Sequence, residues 1–422
     1  MKVLNRSIPF NYILILPLCI LLLNTHTVIM GTYSLLKWFI LACFLAYVAS
    51  LALRRKKTVL FKPLEVNLWL VCVIYLFFGV IYSVDKDATM DYCITVAVYS
   101  IFLFWNMKVD FYQAVFKLLN ILLIVCMATI YLNAVVHNLM TGPFSFLVAK
   151  GAIGEVGKDV QAGVYSGIFA DRANAAFAMN IGFAISYSNF LTSLKKKHII
   201  TMVLFFTAIF FTGKRMLFLV PIIMVFASLI FKSKKRRSQG IFLVLVFALV
   251  VALIAVSVFP QMARFLEAGK SEDVTNGRST ILWPVAFLMY NQSPLFGVGI
   301  NTFNSVIQGS SHNDTNLSEW TYNAHNIYVQ FLGELGIIGT VLFVSVFVIF
   351  FVITVKLLKR ATLKKHYYLL NLSMFLQLLW LVYGFSGNTF YYSPQLLCYI
   401  IALGTMEAVK YEQKKNRHIN IS

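Results

Sequence analysis

The chain has 422 residues, 59% of them hydrophobic and only 12% charged, with a formal net charge of +20. Its mean hydropathy of +0.78 lies outside the range of soluble globular domains. The basic residues sit in short clusters between apolar runs rather than in one patch, so the charge reads as membrane topology and excludes nucleic acid as the partner it would otherwise suggest.

Apolar runs able to cross a ~30 Å hydrocarbon layer, which takes ~20 helical residues, recur along the whole chain. Backbone groups in lipid must be satisfied within each segment, and the ~10-residue dyad pattern of a β-barrel is missing, so the expected fold is an all-α polytopic bundle. The start, MKVLNRSIPFNYILILPLCILLL, has the basic and apolar regions of a signal peptide. No small-x-small cleavage site follows before Asn24, and it is read as a retained first span.

Twelve spans are predicted, near 9–23, 33–53, 66–82, 92–107, 111–137, 161–191, 199–213, 216–231, 241–259, 331–355, 367–383 and 394–409, within a single integral membrane domain over residues 1–422. With the N-terminus in the cytoplasm, this threading puts every basic cluster inside: Arg54 to Lys57, Lys195 to Lys197, Lys232 with Lys234 to Arg237, Lys356 to Lys365, and Lys414 with Lys415. Outside lie residues 83–91, the loop 138–160, and a long loop 260–330 between spans 9 and 10.

That long loop carries much of the non-basic polarity, and loops of such length are uncommon without a function. Within it, STILWPVAFLMYN (279–291) is too short to span and is expected to lie as an amphipathic helix at the outer interface. The following SPLFGVGINTF (293–303) contains Gly297 and Gly299, which permit close backbone approach or positive φ. The six cysteines fall inside apolar runs with no CxxC pair, which argues against structural disulfides and zinc. No Walker loop, dinucleotide fingerprint, DxD-like metal pair or HExxH occurs, so no cofactor or metal is expected.

Three positions at the outer face could carry chemistry. Arg215, in FFTGKRMLFLVP, follows a tight turn and is either a snorkelling interface anchor or an anion ligand. Arg278, in TNGRSTILWP, precedes the interfacial helix, where a cation has the wrong sign for the helix dipole but could hold an anion jointly with free N–H groups; a solvated loop arginine is the alternative. His325, in TYNAHNIYVQFLGELGIIGT, is either a polar helix-end residue or a general base or phosphate partner, with Asn323 and Asn326 placed to orient it. A fourth candidate, Arg172, is expected beside Asp171 inside the sixth span, where such charges are costly unless paired or facing a polar cavity. Arginines and a histidine at one face suit a doubly charged oxyanion such as a lipid diphosphate.

The order "TGKR", then "GRST...W" leading to "SPLFGVGINTF", then "AHNIYVQFLGELGIIG", resembles the O-antigen ligase and polymerase superfamily of bacterial envelope glycosyltransferases. The resemblance implies a GT-C-like membrane enzyme of the bacterial inner membrane with its site facing outward. It would take a glycan from undecaprenyl diphosphate and transfer it, without metal, to an acceptor sugar. Carried over by motif, Arg215, Arg278 and His325 take the catalytic positions, Arg172 and Asn326 join Arg215 and Arg278 in binding diphosphate or sugar, and Glu334 and Gly336 are packing and turn residues. The partners implied are the lipid-linked donor, a glycan or lipid A-core acceptor, membrane lipid, and a chain-length regulator protein. The segment between Arg278 and His325 is comparatively short, which favours a polymerase over a ligase. A lipid-linked sugar flippase is the competing class; it would spread charges along a path near the midplane.

Overall fold

The computed structural model describes residues 10–23, 32–53, 63–105, 107–148, 152–231, 278–309 and 323–419. The expected span near 241–259, the clusters at 54–57 and 232–237, and the loop segments 260–277 and 310–322 lie outside the described residues.

Every regular element among the described residues is helical. In chain order they are α1 (Ile15–Leu23), α2 (Thr32–Leu53), α3 (Leu64–Gly79), α4 (Lys86–Phe104), α5 (Val109–Val135), α6 (Ile153–Gln161), α7 (Arg172–Ser193), α8 (Lys196–Phe211), α9 (Arg215–Phe231), α10 (Trp283–Gln292), α11 (Phe303–Gly309), α12 (Ile327–Lys359), α13 (Lys364–Tyr383) and α14 (Ser393–Ile419). Three of them, α4, α5 and α12, are long and apolar enough to cross a membrane by length and composition, and shorter apolar helices include Leu64–Gly79 and Arg215–Phe231. This is consistent with a multi-pass membrane protein.

Large aromatics fill the centre. Trp380 stacks on Tyr399 with centroids 4.4 Å apart, Phe347 meets Trp380 at 5.0 Å, and Trp69 donates from Nε1 to Ser100 Oγ at 2.7 Å. A buried indole needs such an acceptor, because an unpaired N–H away from water costs about 1–3 kcal/mol.

Hydrogen bonds and ion pairs join several helix ends. Val84 donates to the Val298 carbonyl at 3.0 Å, Thr89 to that of Ile300 at 2.7 Å, Tyr165 to that of Phe211 at 2.9 Å and Ile327 to that of Gly384 at 2.9 Å. The first two join the segment 83–91 to the loop 260–330, both expected on the outer side. Lys365 pairs with Glu412 at 2.6 Å and Lys410 with Glu65, all expected on the inner side.

One expectation changes. The sixth span does not run from 161: α6 ends at Gln161 and α7 begins at Arg172. Asp171 is extended (φ −145°) and its carboxylate accepts from the N–H groups of Ala173 and Asn174, so the acid and base stand at a helix start rather than inside a span. The helix expected at 279–291 in the long loop is present: a π-helical turn at Arg278–Leu282 runs directly into α10, which lies against α12 where Gly333 faces Ala286 and Met289.

Helix α12 is broken at Gly336 (φ 63°, ψ −172°). The turn 294–299 takes up the freed backbone groups: Ile337 and Ile338 donate to the carbonyls of Pro294 and Leu295 at 2.9 and 3.2 Å, while Val298 and Gly299 donate to those of Gly333 and Glu334 at 3.3 and 3.0 Å. Gly297 (φ 74°) and Gly299 (φ 109°) make this approach feasible, because a Cβ on Gly297 would strike the Glu334 backbone.

Candidate functional site

The site forms where the starts of α7, α9, α10 and α12 meet the turn between α13 and α14. At α7, Asp171 is occupied as the cap, and Asn174 donates both to it and to the Tyr392 hydroxyl, the latter at 2.9 Å. Arg172 does not pair with its neighbour Asp171. Its Nε meets Asp159 Oδ1 at 3.0 Å, which ties α6 to α7. Burial pushes the Asp159 carboxyl above its usual range, with Arg172 and then Lys214 opposing that.

The turn between α8 and α9 presents Lys214 and Arg215 in different directions. Arg215 is exposed. Lys214 lies within electrostatic range of Arg172, Asp171, Arg278 and Asp159, and burial foremost, then Arg172, lowers its pKa below the ordinary lysine range. Arg278, at the start of the π-helical turn, donates from Nη1 to the Ser386 carbonyl at 3.2 Å. Its guanidinium is also partly desolvated, which lowers its pKa, while the nearby Tyr383 hydroxyl favours its charge. Tyr383 is in turn within range of Asp171 and Tyr392.

His325 completes the cluster. It adopts φ 51°, a left-handed backbone uncommon outside glycine, and both flanks hold it there. On one side, the Ala324 N–H donates to Gln330 Oε1 at 3.1 Å, and the Ala324 carbonyl accepts from Trp283 Nε1 at 3.1 Å. On the other, Asn326 Oδ1 caps α12, accepting from the N–H groups of Tyr328 at 3.0 Å and Val329 at 3.2 Å. Burial first, then the charges of Arg278 and Lys214, push the imidazole from 6.5 down to about 4. At neutral pH it is uncharged, hence able to accept a proton.

Of the residues singled out from the sequence, Arg278 and His325 are thus brought within electrostatic range of each other, with Arg172 joined to them through Lys214. Asn326 directly follows His325 and sets the helix start. Among the described residues no group of three or more His, Cys, Asp or Glu side chains gathers as a metal-ligand set. Glu334 is fully buried and accepts from the N–H groups of Asn301 at 2.7 Å and Phe303 at 2.9 Å and from Gln330 Nε2 at 3.1 Å.

This cluster of cations around a histidine follows the order of motifs noted in the sequence. Residues 200–344 match the family model of O-antigen ligase. The match is consistent with the O-antigen ligase and polymerase superfamily and covers less than half of the chain. Among curated proteins none matches the chain. The O-antigen ligase match includes Lys214, Arg215, Arg278, His325 and Glu334; Asp159, Arg172, Tyr383 and Ser386 lie beyond it and are brought in by the fold. Sequence reasoning passed over Lys214, Asp159, Tyr383, Trp283 and Gln330. The one signal in the sequence pointing to Lys214 is its place in TGKR, beside the arginine.

Proposed function

We propose that the protein is a polysaccharide polymerase of the bacterial inner membrane, a metal-independent glycosyltransferase with about twelve spans and a GT-C-like bundle. It transfers a glycan from undecaprenyl diphosphate to the acceptor sugar of another lipid-linked repeat unit at the outer face. The family match supports a polymerase or ligase role in O-antigen assembly. The observation that carries the reading is the convergence of Arg278 and Lys214 on an uncharged His325.

The chemistry follows from charge. The acceptor hydroxyl attacks the anomeric carbon as the bond to the diphosphate oxygen breaks, inverting that centre. Its proton passes to His325, and the bonding pair leaves with the lipid diphosphate. Arg278 and Lys214, with Arg172 and Arg215 as further ligands of diphosphate or sugar, stabilise the charge as it develops. A well-placed donor of this kind contributes about 3–4 kcal/mol, and a positioned base about a hundredfold or more in rate. Partial desolvation of Lys214 and Arg278 strengthens their attraction for a dianion.

The family's description as O-antigen ligase favours a second reading, transfer of the finished glycan to lipid A core. Against a flippase stands the gathering of charge at one end of the bundle rather than along a path. Deleting the gene and resolving the surface glycan on a gel separates the cases: a single repeat on core marks a polymerase, long lipid-linked glycan with bare core a ligase. Full glycan from a His325→Ala strain would remove the proposed base.

A further inference from the structure

A histidine at φ 51° persists only where its surroundings over-determine it, since such backbone costs of the order of 1 kcal/mol or more. Both backbone groups of the preceding residue, Ala324, are taken by side chains rather than by regular structure: its N–H by Gln330 and its carbonyl by Trp283, each at 3.1 Å.

Gln330 has no exposure, and its amide is used three ways. Oε1 accepts from Ala324, while Nε2 donates to Asn323 Oδ1 and to Glu334 Oε1, both at 3.1 Å. The reverse orientation of the amide would set an NH2 against the Ala324 N–H and an oxygen against a carboxylate, so the bonding pattern fixes the side chain one way round. Glu334 anchors the far end, since its carboxylate also holds the N–H groups of Asn301 and Phe303. Trp283 opens α10, directly after the turn that begins at Arg278. The two side chains therefore fasten His325 to the body of α12 on one side and to the Arg278-bearing helix on the other.

We propose that Gln330 and Trp283 are positioning residues for His325, clamping Ala324 from both sides so that the imidazole is held at a fixed place beside Arg278. The inference rests on the reading of His325 as the proton acceptor, yet its first test does not. Neither side chain touches the reacting atoms; both act through the backbone that carries His325. Misplacing a catalytic group by about 1 Å costs on the order of a hundredfold in rate.

The test uses the full-length protein in nanodiscs, with Gln330→Met, which keeps length and bulk but offers no amide, and Trp283→Phe, which keeps the ring and removes the Nε1 donor. Nitrogen-15 histidine spectra of the free protein, with the His325 signal assigned by its loss in His325→Ala, report the imidazole environment. Turnover of a lipid-linked repeat unit reports kcat and KM. Both variants are expected to melt cooperatively, to move the His325 signal, to lower kcat about a hundredfold with KM within about threefold, and to add little further loss to His325→Ala. An unmoved His325 signal in both folded variants overturns the proposal, as does a loss that simply multiplies with that of His325→Ala. If Gln330→Met fails to fold, Trp283→Phe decides alone, because its donor is lost from a part-buried bond. Full activity in His325→Ala itself would overturn the base assignment, while the spectra still decide whether the clamp places the ring.

Discussion

Replacing Arg278 by methionine should move the acid limb of the pH–rate profile upward. In the free protein, burial, Arg278 and Lys214 together hold His325 down to about 4. A general base must be unprotonated, so kcat/KM of the wild type should stay level on acidification until the pH nears that value. The sign follows from charge: the guanidinium opposes a second positive charge on the imidazole, and removing it makes protonation easier. The limb should then rise toward 6.5 without reaching it, because burial, the largest cause, and Lys214 both remain. A rise of about half to one pH unit corresponds to about 0.7–1.4 kcal/mol of repulsion between Arg278 and imidazolium. A bound diphosphate acts in the same direction by neutralising both cations, so in the wild type the limb of kcat should lie above that of kcat/KM. Initial rates with a lipid-linked repeat unit in nanodiscs, taken from about pH 4 to 8, measure both limbs. A wild-type kcat/KM limb already near the ordinary histidine range, or an active Arg278→Met enzyme with an unmoved limb, would refute the reasoning.

Further outcomes follow from single contacts. Lys214→Met should reduce turnover at least about tenfold more than Arg215→Met, since Lys214 lies within range of Arg278 and His325 whereas Arg215 is exposed; equal losses in a rate assay would contradict this. Glu334→Leu should destabilise by about 2–5 kcal/mol, as it leaves the buried N–H groups of Asn301 and Phe303 without their acceptor, and denaturation monitored by tryptophan fluorescence reads it. Gly336→Ala should lower the melting temperature through backbone strain of about 1–3 kcal/mol, compounded by a methyl driven against the Leu295 carbonyl. Asp159→Asn should change stability by less than about 1 kcal/mol, because its partner Arg172 is 36% exposed and the pair is screened by solvent.

Helix identity and the two polar ends were readable from the sequence because apolar runs and basic clusters alternate along it. The roles of Glu334 and Gly336 as packing and turn residues came only with the family resemblance. The start of α7 was misplaced because the apolar residues from 162 to 170 lead into the apolar stretch that follows Arg172, and hydropathy does not distinguish a turn from a helix; the Asp171 cap, with an asparagine three residues on, was the available signal. The choice between Lys214 and Arg215 depends on helix phase. Positions 217, 220, 221 and 224 are buried and continue the row of Lys214, whereas 219 and 226 are exposed and continue that of Arg215. Since α9 is apolar all round, no periodicity marks which face packs inward. The pairing of Arg172 with Asp159 was equally hidden, because it depends on how α6 folds back onto α7.

The site draws its charges from two parts of the bundle, and this bears on how it would work. Arg278 and His325 belong to one unit: Trp283 bonds to Ala324, Gly333 fits against α10, and the break at Gly336 is sealed by the turn that follows α10. Lys214, Arg172 and Asp159 belong to another, built from α6, α7 and the α8–α9 turn. Helix α13 packs against α7, α9 and α12 and so lies between the two, and its last residue, Tyr383, is within range of Asp171 from one unit and Arg278 from the other. Like charges brought together across that seam repel: behind burial and a like charge within its own unit, Arg278 is a lesser cause lowering the pKa of Lys214, and Lys214 a lesser cause lowering that of His325. A dianion seated between Lys214 and Arg278 would turn that repulsion into attraction, so the same ligand that supplies the leaving group would also draw the two halves of the site together.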